Sequence, residues 1–559
     1  MAYFLKQTKL NGRTYLSIVE SFYSPEKKGT AHRTYKSLKS VETWIAQGVA
    51  DPVSHFQKEV DELNESRRME AAPEISETPP KRYVGYFLAK AVLEKLKVKK
   101  YVDYFKLTTN YDFDLYEALS ALIYSRLVKA CSKRRTYSEV IPCLYEKYDF
   151  SYDQLLEAVR FFGNDYEKIV ELFAHQLDAV YGINAEKTYF DCTNFYFEID
   201  REDDFRRKGP SKESRKDPII GLGLLLDANL LPIGMRMYPG NESEKPQLRS
   251  VVDALKDQNN ISGRTVHVAD KGLNCAKNIF EARRSGDGYL FSKSVKQLPE
   301  TEEAWILLPG GYKQARDGKG NVLYEYKECV DRFPYDYVDE DGKKHRIKLT
   351  EKRVATYNPS LARKKIYEID RMAEKARRLA HSQAKKAMYG ESSRYVDFVD
   401  GEGGKAIAEV NAGKIERDKR LAGYNLLVTS ETKMSAPDIY ETYHNLWRIE
   451  ESFKIMKSDL DARPAYMKTE ETIKGHFLIC YLSVLVERIV QFVELEDKYP
   501  SEAIFKFFKE FMVVEADGKY VNITARNDFI VGLKEKTALP LTNYILTEKQ
   551  LKKVMNYKL

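Results

Sequence analysis

Three acidic residues stand where phosphoryl chemistry would need them. Asp191 interrupts the run TYFDCTNFYFE, Asp270 closes TVHVAD, and Glu450 sits in YHNLWRIEESFK. An ionised Asp within an apolar strand is costly unless something positive binds it, the other reading being a strand-end Asp that caps a turn. Asp270 follows an apolar strand and precedes Lys271-Gly272, and strand ends of α/β sheets are where ligands bind. Glu450 belongs to a helical pattern. At about 100° per residue, Tyr443, Glu450 and Lys457 share one stripe, Lys454 joins it a turn after Glu450, and the rival acid Glu451 points about 100° away. An ordinary i, i+4 Glu-to-Lys pair on a surface helix is the competing reading.

Three carboxylates brought together repel, and at least one is driven to protonate unless divalent cations compensate the charge. Oxygen-only ligands favour Mg²⁺, with Mn²⁺ accepted, over zinc. Two such ions about 4 Å apart activate a water or a 3′-hydroxyl on one side of a phosphodiester and stabilise the leaving oxygen on the other. The chain shows no histidine cluster, nucleophile elbow or P-loop, so zinc hydrolysis, serine chemistry and ATP use lack support.

The elements that must position these acids follow from the periodicities. From Lys187 the pattern is β: TYFDCTNFYFEI, IIGLGLLLD, PIGMRMY, TVHVAD and GYLFSKSV. The first three suit an antiparallel meander, and the helical RSVVDALKDQ suits a crossover onto a parallel fourth strand, which makes the strands of Asp191 and Asp270 neighbours. NCAKNIFEARR reads as the helix before strand five. The fold class is therefore α/β, a mixed five-stranded sheet flanked by helices. A helix begins near Ser435, a plausible N-cap, and runs through Glu450. The apolar IKGHFLICYLSVLVERIVQFVE packs behind it. Its longest apolar run, Phe477 to Val486, is far short of the roughly 20 residues of a membrane span.

The remaining chain divides by composition. Residues 1–65 read as a small β module with a hairpin at Asn11-Gly12, 66–83 as a Pro/Glu/Ser-rich linker and 84–183 as a helical domain, to which the family resemblance given below assigns DNA binding. Residues 184–295 and 431–495 form the two parts of the α/β core. Between them, 296–430 is a β-rich insertion, and 496–559 a helical tail. Within the insertion Leu361–Tyr389 carries nine Lys or Arg against three acids, a surplus that makes DNA contact as good a reading as a solvated helix. The segment Lys129 to Tyr137 mixes cations with an aromatic, as a phosphate-contacting turn or a solvated helix end would. At 559 residues with 43% hydrophobic content, several cores can form, and 91 Lys and Arg against 84 Asp and Glu is too small a surplus to argue nucleic-acid binding by itself. Six cysteines without CxxC pairing and an N-terminus without an apolar signal core point to a reducing, cytoplasmic setting, which the resemblance below narrows to the nucleoid.

TYFDCTNFYFE, KDPIIGLGLLLDANLLPIGMRMYPGNESE, VHVADKGLNCAKNI, YHNLWRIEESFKIMKSDLDARPAYM and GHFLICYLSVLVER together resemble the bacterial insertion-sequence transposases of the DDE type, of the insertion-sequence-four-like kind with a ribonuclease H-like core. That resemblance implies Asp191, Asp270 and Glu450 as catalytic, metal-holding residues for two Mg²⁺, and a β-rich insertion between the second Asp and the Glu. It implies double-stranded DNA as partner (terminal inverted repeats and target) and a homodimer that holds two ends. The family signature Tyr, two residues, Arg, three residues, Glu, six residues, Lys fits at Tyr443, Glu450 and Lys457, with Leu446 at the Arg position. Arg448 is near in sequence but about 160° round the helix from that Arg's direction, and Lys454 is the better geometrical substitute. Lys271, Tyr443, Arg448, Lys454 and Lys457 are the candidate phosphate contacts. Trp305 is the candidate to stack a flipped base, or else a packing residue, and Asn241–Glu244 resembles the family's polar loop, or else a plain turn. The expected activity is cleavage at the element ends and joining of 3′-hydroxyls to target DNA. A nuclease of the same fold, or a non-catalytic DNA-binding descendant, would share much of this pattern.

Overall fold

Asn11 and Gly12 both adopt positive φ, 48° and 74°, the conformation a two-residue hairpin loop demands. They join the first two strands of the N-terminal unit, Met1–Pro79, a three-stranded antiparallel sheet of Tyr3–Leu10, Arg13–Ser24 and Gly29–Ser40. Helix Pro52–Glu70 packs on one face of that sheet, burying Leu16, Ile18, Leu38, Phe56 and Val60 as a core of its own. The computed structural model describes residues 2–24, 29–70, 79–107, 109–212, 216–257, 263–338, 342–381, 386–400, 406–463, 465–516 and 518–559. Most of the expected linker, 71–78, lies outside them; 66–70 continue the helix, and Lys81–Tyr83 is a strand.

The second unit, Pro80–Leu559, opens with helices. Among them α1 (Leu115–Val128) is buried on nearly every side, and α2 (Tyr152–Asn164) starts at a capping box of Ser151 and Gln154. Nine strands follow in one sheet: β1 (Lys187–Tyr196), β2 (Ile219–Leu226), β3 (Pro232–Pro239), β4 (Val266–Ala269), β5 (Gly288–Lys293), β6 (Lys313–Arg316), β7 (Val322–Val338), β8 (Lys344–Tyr357) and β9 (Tyr424–Thr429). Their order is β6-β7-β8-β9-β5-β4-β1-β2-β3. β1, β2 and β3 pair antiparallel, whereas β4 runs parallel to both β1 and β5.

The sheet is thus larger than the five strands expected. β9, read from sequence as part of a separate insertion, pairs antiparallel with β5 and carries β8, β7 and β6 with it. An apolar strand such as β5, whose edge would otherwise stay open, is a template for just this pairing. Its helices are α3 (Gln247–Asp257), α4 (Ala276–Arg284), α5 (Glu300–Leu307), α6 (Pro359–His381), α7 (Ala436–His444), α8 (Trp447–Lys454) and α9 (Glu470–Arg488). The basic helix expected over 361–389 is α6 and the short Lys386–Tyr389; Lys385 of its nine cations lies outside the described residues. The C-terminal stretch adds strands as well as helices. Met512–Ala516, Lys519–Asn522 and Ile545–Thr547 join Lys81–Tyr83 in a second sheet of four strands.

α9 is the one helix among the described residues long and apolar enough to cross a membrane, and 89% of its most apolar window is buried in the protein. It forms the spine between the helical region and the sheet, touching α1, α2 and β3. Glycines allow α2 and α9 to meet backbone to backbone: a Cβ on Gly163 would lie 1.7 Å from the Glu471 carbonyl oxygen, and one on Gly475 2.0 Å from that of Val159. Gly163→Ala and Gly475→Ala should each cost about 1–3 kcal/mol in urea unfolding, as overpacking does. Gly310→Ala, whose added carbon meets nothing within 4 Å, should leave the midpoint unchanged; equal effects at the three positions would refute close helix packing as the cause.

Candidate active site

β1 and β4 are in register with Phe190 opposite Ala269. The next residue after each of these is an aspartate, so Asp191, in the middle of β1, stands beside Asp270, just past the carboxyl end of β4. Asp191 accepts the backbone N–H of Cys192 at 2.8 Å and has a side chain 21% exposed. Burial holds its carboxyl above the usual range, at about 6. Lys212 pulls the other way, while Glu244 and Asp270 add to the rise. Asp270 accepts the Tyr443 hydroxyl at 2.8 Å. That phenol is pushed well above its ordinary value by burial and by Asp270.

Lys212, on the loop between β1 and β2, was not singled out by the sequence pattern, yet it lies between Asp191 and Glu244. Its ammonium lies 3.5 Å from Asp191 and 3.4 Å from Glu244 and donates to the Cys192 carbonyl oxygen. Glu244 reaches in from the loop after β3, its carboxylate 3.6 Å from where a Cβ on Gly272 would be. The one sequence signal for Lys212 is the charged loop RRKGPSKESRKD that follows the strand of the first acid. Burial opposes Lys212's charge, but Asp191 and Glu244 outweigh it and raise the ammonium's pKa. An all-oxygen pocket that already cradles a cation suits a hard divalent ion, which binds carboxylate and carbonyl oxygens.

The third acid is positioned separately. The continuous helix expected through Glu450 is broken: α7 ends at His444, bonds of the i to i−3 kind link Leu446 to Tyr443, Arg448 to Asn445 and Ile449 to Leu446, and a π-helical turn spans Ile455–Asp459. Such tightening and widening shift the helical phase assumed for the Tyr443, Glu450, Lys457 stripe. α8 packs on β1, with Glu450 exposed on it. Among the described residues no group of three or more His, Cys, Asp or Glu is gathered closely enough to hold a metal ion. The structure therefore pairs Asp191 with Asp270 and leaves Glu450 outside that pair. Glu451 has a different task, accepting Arg488 at 2.9 Å and Arg448 at 3.3 Å.

The expected phosphate contacts divide in the same way. Lys271 and Lys454 are exposed. Lys457 lies over the Phe195 ring at 5.5 Å, close to the end of β1. Arg448 is committed to Asp497 at 2.6 Å and stacks on Trp447. Trp305, on α5, is partly buried against the core, with the Lys327 ammonium 5.1 Å from its ring centre. A cleft of about 510 Å³ runs from Asp270, Lys271 and Tyr443 past Lys296 to Lys365 on α6 and Arg394.

Two outcomes follow from this geometry. Asp191 has a folded pKa of about 6 against an ordinary 3.8, so between these values the folded chain holds a proton that the unfolded chain has lost, and stability falls as pH rises through that window. Asp191→Asn should therefore stabilise the protein in chelator by about 1–3 kcal/mol above pH 6, the advantage disappearing below about pH 4; a pH-independent difference would refute it. Glu451→Gln should cost about 1–3 kcal/mol by leaving the buried Arg488 short of a charged partner, and Glu450→Gln less than about 0.5 kcal/mol. Denaturant unfolding of both variants measures the contrast, and equal losses would contradict the division of labour between the two acids.

No curated protein matches the chain. The family model of the transposase DDE domain matches residues 197–486, beginning directly after β1 and enclosing Asp270 and Glu450, while Asp191 lies just before it. That match spans more than half of the 559 residues. The chain belongs to the DDE transposase domain family, and so is a DNA-binding enzyme of the kind that cleaves and transfers DNA.

Proposed function

We propose that the protein is a cut-and-paste transposase of the insertion-sequence-four-like kind, built on a ribonuclease H-like core, that binds terminal inverted repeats, cleaves the element ends and joins the 3′-hydroxyls to target DNA. The observation that carries this reading is the register of β1 and β4, which sets Asp191 beside Asp270, with Tyr443 on the second and a captive ammonium beside the first. Asp191, Asp270 and Glu450 would hold two Mg²⁺, with Mn²⁺ accepted. When bound, such ions polarise the scissile phosphate and lower the barrier to in-line displacement.

The chain's own groups do the rest. Tyr443 fixes the Asp270 carboxylate by donating to it, which leaves the remaining lone pairs of that acid aimed into the cleft. Lys271, Lys454 and Lys457 lie on the elements around the acids and neutralise phosphates of the strand being cut. Arg448, held by Glu451 and Asp497, sets the orientation of α8 rather than a phosphate. The cleft toward α6 offers the strand a basic path, and the N-terminal β and helical modules would grip the repeat. Two copies would serve the two ends of the element, each supplying one site, on DNA in the cytoplasm.

A strand-transfer assay decides the matter, using duplexes from the DNA flanking the gene, a supercoiled target and Mg²⁺. Cleavage and joining are expected in the wild type, and neither in Asp191→Ala, Asp270→Ala or Glu450→Ala. Joining that persists in Asp270→Ala would overturn the assignment, and cleavage without joining would make the protein a nuclease of the same fold.

A further inference from the structure

The N-terminal unit has a sheet with one face covered by its helices and the other open. Strand register sorts the residues. Leu5, Leu16, Ile18, Glu20 and Lys36 lie on the covered side, where Glu20 binds Arg33 and Arg67, and Lys36 pairs with Glu59 at 2.6 Å. The open side presents Lys6, Thr8, Arg13, Tyr15, His32 and Thr34, all exposed. Phe4 and His32 meet edge to face at 5.3 Å above the middle strand.

By the same register Lys9, Arg33 and Lys36 share the covered side with the strands' one acid, whereas Lys6 and Arg13 stand on the open side without one. The three strands hold six Lys or Arg and a single acid, Glu20, which is 3% exposed and faces the helix. None of the acids in the three strands reaches the open side. Glu42, on the helix that follows, is held at the sheet's end by the Thr14 backbone N–H at 3.2 Å. A face of hydroxyls, cations and exposed rings without a carboxylate is unsuited to a protein core and complementary to a polyanion. Hydroxyls and cations are the groups that contact phosphate and base edges. The outer strand axes lie about 10 Å apart, so it is the face of the sheet, through its side chains, that would enter the roughly 12 Å major groove of duplex DNA.

From this we infer that the open sheet face of the N-terminal unit is a docking surface for duplex DNA, lying in the major groove with Lys6 and Arg13 on phosphates and the central hydroxyls and rings on base edges. The inference deepens the transposase reading and rests on it for the identity of the DNA, the inverted repeat; the face itself is argued from its chemistry.

The test uses the full-length protein and a fluorescein-labelled duplex from the DNA flanking its gene. Lys6→Gln combined with Arg13→Gln should weaken binding by about tenfold or more near 0.1 M salt and reduce the slope of log K against log salt by about 1.8, the value for two lost phosphate contacts. Thermal unfolding should be unchanged, since both side chains are exposed. Lys36→Gln removes the same kind of charge from the covered side and should alter affinity by less than about twofold. Equal weakening by Lys36→Gln would replace the proposal with diffuse attraction, an unaffected double variant would overturn it, and tighter binding of single-stranded RNA of the same sequence would reject duplex DNA as the partner. Wild-type protein that binds the duplex but never cleaves it with Mg²⁺ would sink the transposase reading, while the pattern among the variants would still decide the face.

Discussion

A polar chain near the start of the parallel strands β1 and β4 ties their register, which brings Asp191 beside Asp270. Thr188 on β1 lies opposite His267 on β4, and its hydroxyl is 2.9 Å from His267 Nδ1; His267 Nε2 is 3.1 Å from Asp287, which in turn binds Lys256 at 2.6 Å. A carboxylate only accepts, so Nε2 carries the proton and Nδ1 receives the threonine's. Burial keeps His267 below its usual pKa and hence neutral, while His267 and Lys256 overcome the effect of burial on Asp287 and bring it to about 2. Every member is satisfied, which is the condition for a buried polar network to specify one arrangement. A slip of one residue between β1 and β4 would break the Thr188–His267 bond and turn Asp191 or Asp270 to the other side of the sheet. Three residues beyond Thr188 and His267, roughly 10 Å along the strands, the two aspartates arrive together because of it.

Much of this was legible in the sequence, for identifiable reasons. Apolar runs bounded by turn residues marked β1 to β5, and the helical segment before TVHVAD implied a parallel crossover, which was enough to make Asp191 and Asp270 neighbours. The extent of the sheet was not legible. The alternation in β7, β8 and β9 says that they are strands but not which edge they join, and pairing with β5 is a long-range choice. Lys212 escaped for the same reason: a lysine in a charged loop looks solvated until the fold brings it onto Asp191 and Glu244. The stripe through Tyr443, Glu450 and Lys457 assumed one uniform helix, and local pattern does not reveal a tightened turn at Asn445 and Leu446 or a π turn at Ile455–Asp459.

The helix that carries Glu450 owes its place to groups on its buried side. Arg488, wholly buried on α9, binds Glu451 at 2.9 Å and the Ser452 hydroxyl at 3.2 Å and is also held by Gln491. Beyond the π turn, Arg126 donates to the Leu460 carbonyl oxygen at 3.1 Å and His476 lies 3.1 Å from that of Ala462. Carbonyls freed at a helix end need such partners when buried. The cost is a cluster of basic groups in the interior: Lys133, 3.4 Å from His476, has its pKa lowered to about 7 by burial and by Arg126. Cations at this end and a carboxylate at the other hold α8 and the turn after it against the rest of the fold.

These two anchoring systems explain why the acids are distributed as they are. Three carboxylates forced together in a partly buried site would push at least one to protonate, and Asp191 already sits near that limit with Asp270 and Glu244 as neighbours. The sheet holds Asp191 and Asp270 in a rigid register, with Lys212 as counter-charge, and Glu450, the third acid of the proposed set, lies exposed on a separately anchored helix. Glu451, adjacent in sequence, holds the helix through Arg488 and Arg448, while Glu450 lies exposed beside it, as the metal-holding role proposed for it would require. A residue that fixes its helix cannot also be free to bind, and under the proposed function the two tasks would fall to two consecutive glutamates, Glu451 and Glu450.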